Sequence, residues 1–278
     1  MTDNKESTAN SGQGENQEEA SIINQLDEIL PVGDVAEEVK EGDTIVRKKG
    51  VYILPNLFTT AALFSGFYSI LSSVQGRYEA AAIAIFMAMI FDITDGRVAR
   101  MMNAQTKFGA EYDSLSDMIS FGVAPAIAMF TWALGDLGKA GFMAAFVYVA
   151  GAALRLARFN TMPPTTDKRY FIGLASPASA AFLAALLWTA TDLGYVGDQL
   201  PFAASVAVAV VTLLCGLLMV SNLKYTSFKG INLTGRVPFT VILIIIIAFA
   251  VIGIDPPKAL LILITLYNTS FIFLLGKK

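Results

Sequence analysis

Long apolar runs separated by short polar loops dominate the chain from Tyr52 onward. Eight segments can be counted, at roughly 53–73, 79–98, 115–135, 137–158, 171–191, 200–220, 238–254 and 257–275. Each is close to the ~20 residues an α-helix needs to cross the hydrocarbon of a bilayer. An open strand in lipid leaves backbone groups unpaired, so the runs predict helices. The pattern predicts an all-α integral membrane protein, a polytopic helical bundle of about eight transmembrane helices. The connecting loops are brief, which predicts one compact bundle.

The first 46 residues read differently. Residues 1–20 are polar and hold too little apolar surface to offset the entropy of ordering. Ile22, Ile23, Leu26, Ile29 and Leu30 have helical spacing and predict a transient surface helix. No basic stretch followed by an apolar run opens the chain, which predicts no cleaved signal peptide. The expected organisation is a disordered acidic cytoplasmic tail at 1–46, a core at 47–230, and two additional C-terminal transmembrane helices at 231–278.

Composition sharpens this picture. Of 278 residues, 55% are hydrophobic and 15% charged, against ~25% charged in an ordinary soluble domain. That excludes a soluble enzyme and a disordered chain. The formal net charge of −3 averages two unlike parts: residues 1–46 hold 12 acids and 2 bases, and the rest hold 11 acids and 18 bases. With eight spans and a cytoplasmic N-terminus, 15 of those 18 bases fall on the cytoplasmic side; Arg77, Lys139 and Lys258 fall on the other. The asymmetry predicts both termini inside, and a seven-span count would scramble it. Trp132 and Trp188 fall near the far ends of their spans and are expected as interface anchors. The chain has no histidine, which excludes imidazole acid–base catalysis, Ser-His-Asp triads and His-based zinc sites. Its one cysteine, Cys215, excludes an internal disulfide.

The chemistry gathers in two stretches, Asp92-Ile-Thr-Asp95-Gly96-Arg97-Val-Ala99-Arg100 and Gly109-Ala-Glu-Tyr-Asp113-Ser-Leu-Ser-Asp117. Asp92 and Asp95 share one helix face at i, i+3, and Asp113 and Asp117 share another at i, i+4. Consecutive helices joined by a short turn run antiparallel, so the two faces can meet. Four carboxylates brought together without cations repel, and all-oxygen ligands favour hard cations such as Mg²⁺ or Mn²⁺. Four suit a site for two divalent metal ions, able to clamp both the attacking and leaving oxygens of a phosphoryl displacement. Gly96, Ala99 and Gly109 clear space for a diphosphate to approach the backbone, and Arg100 offers a planar cation to phosphate oxygens. The blander reading pairs the acids with Arg97, Arg100 and Lys107 as solvated ion pairs. A cation transporter would instead place its acids near the bilayer midplane, and a structural scaffold leaves the four acids unexplained.

The pattern D-x2-D-G-x2-A-R-x8-G-x3-D-x3-D resembles the signature of the CDP-alcohol phosphatidyltransferase family, with Asp92, Asp95, Gly96, Ala99, Arg100, Gly109, Asp113 and Asp117 at its fixed positions. The resemblance implies a six-helix catalytic core around a cytoplasm-facing two-metal site, with Asp92, Asp95, Asp113 and Asp117 as metal ligands. It also implies that Gly96, Arg100 and Thr106 contact the CDP-lipid. Pro55-Asn56-Leu57-Phe58-Thr59 resembles the family's P-N-x-x-T element, which brings Asn56 and Thr59 to the nucleotide. Asp117 is implied as the general base that takes the acceptor hydroxyl's proton.

Residues 108–125, Arg155-Leu-Ala-Arg158-Phe-Asn160, residues 171–177 and residues 221–229 resemble membrane-embedded bacterial and archaeal phosphatidylserine synthases. Ala175 stands where Pro is expected, and Ala62 where Asn is common. The resemblance implies CDP-diacylglycerol and L-serine as substrates and the cytoplasmic membrane of a prokaryote as the location, with a homodimer possible and no nucleic-acid partner. Sister enzymes of the family accept glycerol 3-phosphate, inositol or its phosphate, or choline or ethanolamine instead. A serine zwitterion needs a cation for its carboxylate. Arg155 and Arg158, Lys224 with Lys229, and the hydroxyls of Ser176 and Ser179 are the candidates, with Arg155 deepest in its run. Each base is also an ordinary positive-inside anchor by position.

Overall fold

A computed structural model describes residues 36–41, 44–49, 53–102, 106–161, 170–195, 200–226, 243, 250 and 252–275. The elements in chain order are β1 (Ala36–Glu41), β2 (Thr44–Lys49), α1 (Ile53–Val74), α2 (Tyr78–Met101), α3 (Lys107–Leu137), α4 (Lys139–Thr161), β3 (Tyr170–Ile172), α5 (Ser176–Asp192), α6 (Phe202–Val220), β4 (Lys224–Thr226) and α7 (Pro256–Leu275). Seven of the eight expected apolar segments are these helices. The remaining one, 238–254, falls largely outside the described residues.

Four of them (α1 from Leu54, α3, α4 and α6) are long and apolar enough to cross a membrane among the described residues. α2 is long enough but carries Glu79, Asp92, Asp95, Arg97 and Arg100, and α5 has 17 residues.

The fold is not purely helical. β1 and β2 form an antiparallel hairpin, and β3 and β4 form a second two-stranded ribbon. The hairpin register sets Glu37 opposite Lys48 and Glu38 opposite Arg47. The boundary expected between residues 46 and 47 therefore falls inside β2. The expected surface helix near residues 22–30 lies outside the described residues.

Small residues set the helix spacing, as is usual where lipid supplies no hydrophobic drive between helices. α4 and α6 touch backbone to backbone: a Cβ on Gly151 would run into the Gly216 carbonyl, and one on Gly216 would lie 2.7 Å from the Tyr148 Cα. α1 meets α3 through Gly66, where a Cβ would lie 2.5 Å from the Ser120 hydroxyl. Hydroxyl-to-carbonyl bonds fasten α1 to α3 and to α2. Ser120 donates to Ala62 at 3.0 Å, Ser116 to Thr59 at 3.2 Å, and Ser69 to Ala81 at 2.9 Å.

α3 widens into π turns at Met118–Val123 and Phe130–Leu134. Pro125 lacks the N–H that would bond the Phe121 carbonyl one turn back. The buried Tyr148 hydroxyl donates to that carbonyl at 3.0 Å instead, tying α4 to α3. Trp132 is 3% exposed and donates from Nε1 to the Tyr195 carbonyl at 3.0 Å, and Trp188 packs on Phe86 with ring centroids 6.3 Å apart. The Trp132 indole thus serves internal packing, in place of the expected interface anchoring. A tryptophan near a span end satisfies its N–H equally well on a buried loop carbonyl.

Candidate active site

The carboxylates come from the ends of α2 and α3. Thr106 caps α3, its Oγ1 accepting from the Gly109 N–H at 2.9 Å. This cap fixes where α3 begins, and so which of its faces carries Asp113 and Asp117. α3 is held against α1 by the Thr60–Tyr112 hydroxyl pair at 2.9 Å, and against α4 by Asn160, whose Nδ2 donates to the Ser114 hydroxyl at 3.0 Å.

Carboxylate oxygens of Asp92, Asp95 and Asp113 all lie within 4.8 Å of one another. The Asp117 carboxyl lies beside that of Asp92. Asp95 is the most buried, at 5% exposure, and accepts a 2.7 Å hydrogen bond from the Thr59 hydroxyl. Among the described residues none of the four forms an ion pair, so the solvated ion-pair reading with Arg97, Arg100 and Lys107 does not hold. Arg155 is the basic group within electrostatic reach of Asp117. Hard, all-oxygen donors converging without a counter-charge in the cluster are a donor set that fits divalent cations.

A cavity of about 460 Å³ adjoins the cluster. All seven residues expected at the CDP-lipid line it: Asn56, Thr59, Gly96, Ala99, Arg100, Thr106 and Gly109. Asp95 and Asp113 face the same space. Gly96 has no packing reason to be glycine: a Cβ there would meet nothing nearer than the Arg100 Nη2 at 4.0 Å. Glycine inside a helix costs ~0.5–1 kcal/mol relative to alanine, and here it leaves the cavity wall bare. Gly109 is different, since a Cβ would crowd the capping Thr106 hydroxyl at 2.9 Å. Arg100 folds back so that Nε donates to the Gly96 carbonyl at 2.7 Å.

The expected acceptor residues separate. The Arg155 Nη1 donates to the fully buried Ser176 hydroxyl at 2.7 Å, and its Nε–H is buried without a partner among the described residues. Arg158 is engaged elsewhere, donating to Asn222 Oδ1 at 3.1 Å. Ser179 is buried beside Tyr148 and Cys215 in the core. Lys224 lies in β4 opposite Ile172; its side chain, like all of Lys229, is outside the described residues.

Two features escaped the sequence reading. Phe159 lines the cavity although it lies on α4, far along the chain from the signature; its place in the quoted Arg155–Asn160 stretch was the available signal. The Thr59 hydroxyl is bonded to a carboxylate as well as facing the cavity, which no local pattern reveals.

A family model described as CDP-alcohol phosphatidyltransferase matches residues 52–218. The CDP-diacylglycerol–serine O-phosphatidyltransferase of Helicobacter pylori is 32% identical over 217 residues, 78% of this chain and 88% of that protein. The protein of the same name from Mycobacterium leprae is 36% identical over 146 residues, 51% of this chain and 48% of its own. The archaetidylserine synthase of Methanothermobacter thermautotrophicus is 33% identical over 181 residues, 64% of this chain and 72% of that protein.

Proposed function

The chain belongs to the CDP-alcohol phosphatidyltransferase family, and from that premise we propose that it transfers the phosphatidyl group of CDP-diacylglycerol to the hydroxyl of L-serine, giving phosphatidylserine and CMP. The single observation that carries the reading is the convergence of four signature aspartates beside a cavity lined by every other signature residue.

Asp92, Asp95, Asp113 and Asp117 would hold two divalent ions, Mg²⁺ or Mn²⁺. When bound, these neutralise the diphosphate and stabilise charge developing on the transferred phosphorus. Thr59 orients Asp95 through its hydrogen bond, a supporting contact of the kind that tunes carboxylate ligands. Gly96 and Ala99 let the diphosphate approach the α2 backbone, and the Arg100 Nη groups are free of the Nε bond that folds the side chain. The serine hydroxyl oxygen forms the new bond to the lipid phosphorus, the bond from that phosphorus to the bridging diphosphate oxygen breaks, and CMP leaves. Asp117 accepts the hydroxyl proton. Arg155, which has one unpaired buried donor and lies within electrostatic reach of Asp117, takes the serine carboxylate, and Ser176 steadies it.

The positive-inside split supports eight spans, with both termini and the site facing the cytoplasm of a prokaryotic inner membrane. The test is purified protein with CDP-diacylglycerol and a panel of alcohols. CMP release dependent on L-serine, abolished by chelation and restored by Mg²⁺ or Mn²⁺, is the expected result. Release with glycerol 3-phosphate or inositol phosphate but not serine rejects the serine assignment.

A further inference from the structure

Among the described residues that line the cavity, Phe159 alone is aromatic. It lies in the last turn of α4, and the residues on either side of it are tied to other elements. Arg158 donates from Nη1 to Asn222 Oδ1 at 3.1 Å, and Asn160 donates from Nδ2 to the hydroxyl of Ser114, the neighbour of Asp113, at 3.0 Å. Thr161 closes the turn by donating to the Ala157 carbonyl at 3.0 Å. The backbone beneath Phe159 is thus held in place, yet the residue is 62% exposed. Among the described residues no other aromatic ring packs on it. Core packing therefore gives no account of this ring.

The rest of the wall is small or polar, with Gly96, Ala99, Gly109 and Ala110 leaving it bare. A CDP-lipid has three parts to place. Its diphosphate belongs at the carboxylate cluster, and its acyl chains have the bilayer. Its cytosine, a flat ring with polar edges, is left to the cavity. A base stacks on an aromatic side chain whose ring has an open face. An exposed phenylalanine on a membrane helix ordinarily faces lipid, but Phe159 stands on the cavity, between Arg158 and Asn160 in a polar last turn. We propose that Phe159 is the platform on which the nucleobase of the CDP-lipid stacks. The proposal rests on the CDP-lipid reading of the cavity and adds to it a wall from α4, outside the family signature.

The test is Phe159→Leu and Phe159→Trp in the full chain. The readings are the KM for CDP-diacylglycerol, the KM for L-serine, and the Ki of CMP, which has no acyl chains. Phe159→Leu keeps an apolar side chain and removes the ring. It is expected to raise the KM for CDP-diacylglycerol and the Ki of CMP together by about 5- to 100-fold, the size of one base–aromatic stack. The KM for serine should stay within about twofold. Phe159→Trp keeps a ring face and should hold both nucleotide constants within about threefold of wild type. Phe142→Leu, at an exposed position on α4 that does not line the cavity, should change none of them. An unchanged Ki of CMP in Phe159→Leu overturns the proposal even if the KM for CDP-diacylglycerol rises, because the ring then meets the lipid's tails and not its base. Equal losses in Phe159→Leu and Phe159→Trp overturn it as well. Wild-type protein that binds no CMP overturns the CDP-lipid reading itself. Wild-type protein that uses glycerol 3-phosphate but not serine overturns the serine assignment alone, and the CMP constants still judge Phe159.

Discussion

Gly151 and Gly96 are the same residue in two regions that use it oppositely. At the α4–α6 seam a Cβ on Gly151 would collide with the backbone of Gly216, so the missing side chain is what lets two helices meet. At the mouth of the cavity a Cβ on Gly96 would meet open space, so the missing side chain serves something that is not protein. The seam is built for the fold and tolerates no added volume. The cavity end is built for a ligand: it keeps carboxylates close together without a basic partner in the cluster and a helix wall bare, at a cost in stability.

The contrast breaks most easily at the carboxylates. Asp92→Asn should lower turnover by about 10²–10³-fold, while the melting temperature in detergent holds or rises because one of several like charges is removed. Parallel loss of activity and melting temperature would mean that the cluster is structural. Next in size, Gly151→Val should overpack the seam by ~1–3 kcal/mol, seen as a melting temperature lower by several degrees. Its counterpart Gly96→Val should leave the melting temperature within a degree or two but reduce kcat/KM for CDP-diacylglycerol by about 10- to 100-fold. If the two valines lower stability equally, the distinction between the regions collapses. The smallest effect is expected from Thr59→Val, which keeps the shape and removes the hydroxyl that orients Asp95. About a tenfold rise in the Mg²⁺ concentration needed for half-maximal rate is expected, relieved by excess metal; no change would make that hydrogen bond incidental.

Much of this was legible in the sequence, because the relevant signals are local. The 3.6-residue period puts Asp92 with Asp95 and Asp113 with Asp117 on shared faces, and the apolar run lengths mark out the helices. The family resemblance, through the signature, Thr106 and the P-N-x-x-T element, also named seven residues that line the cavity. What stayed hidden depended on partners remote in the chain. Trp132 has the position of an interface anchor, but its N–H bonds the carbonyl of Tyr195 inside the protein. The six acceptor candidates were bases and hydroxyls near span ends, and no local pattern said which of them other contacts engage. Asn222 occupies Arg158, whereas Arg155 reaches Ser176 with a donor to spare. The hairpin β1–β2 crosses the change from acidic to basic sequence because strand pairing answers to opposing register and not to local charge.

By itself the sequence determined that the chain is a helical membrane protein, which four carboxylates share helix faces in pairs, and which family signature they complete. These follow from composition and from spacings within one or two helical turns. The tertiary structure decided which carboxylates approach one another across helices, that Thr59 supports Asp95, and that Arg155 bonds Ser176 within electrostatic reach of Asp117. Those contacts join residues 18 to 38 positions apart. Helical period says nothing about them, because the approach of two helices is fixed by the bulk at their shared seam, as Gly151 and Gly216 fix it for α4 and α6.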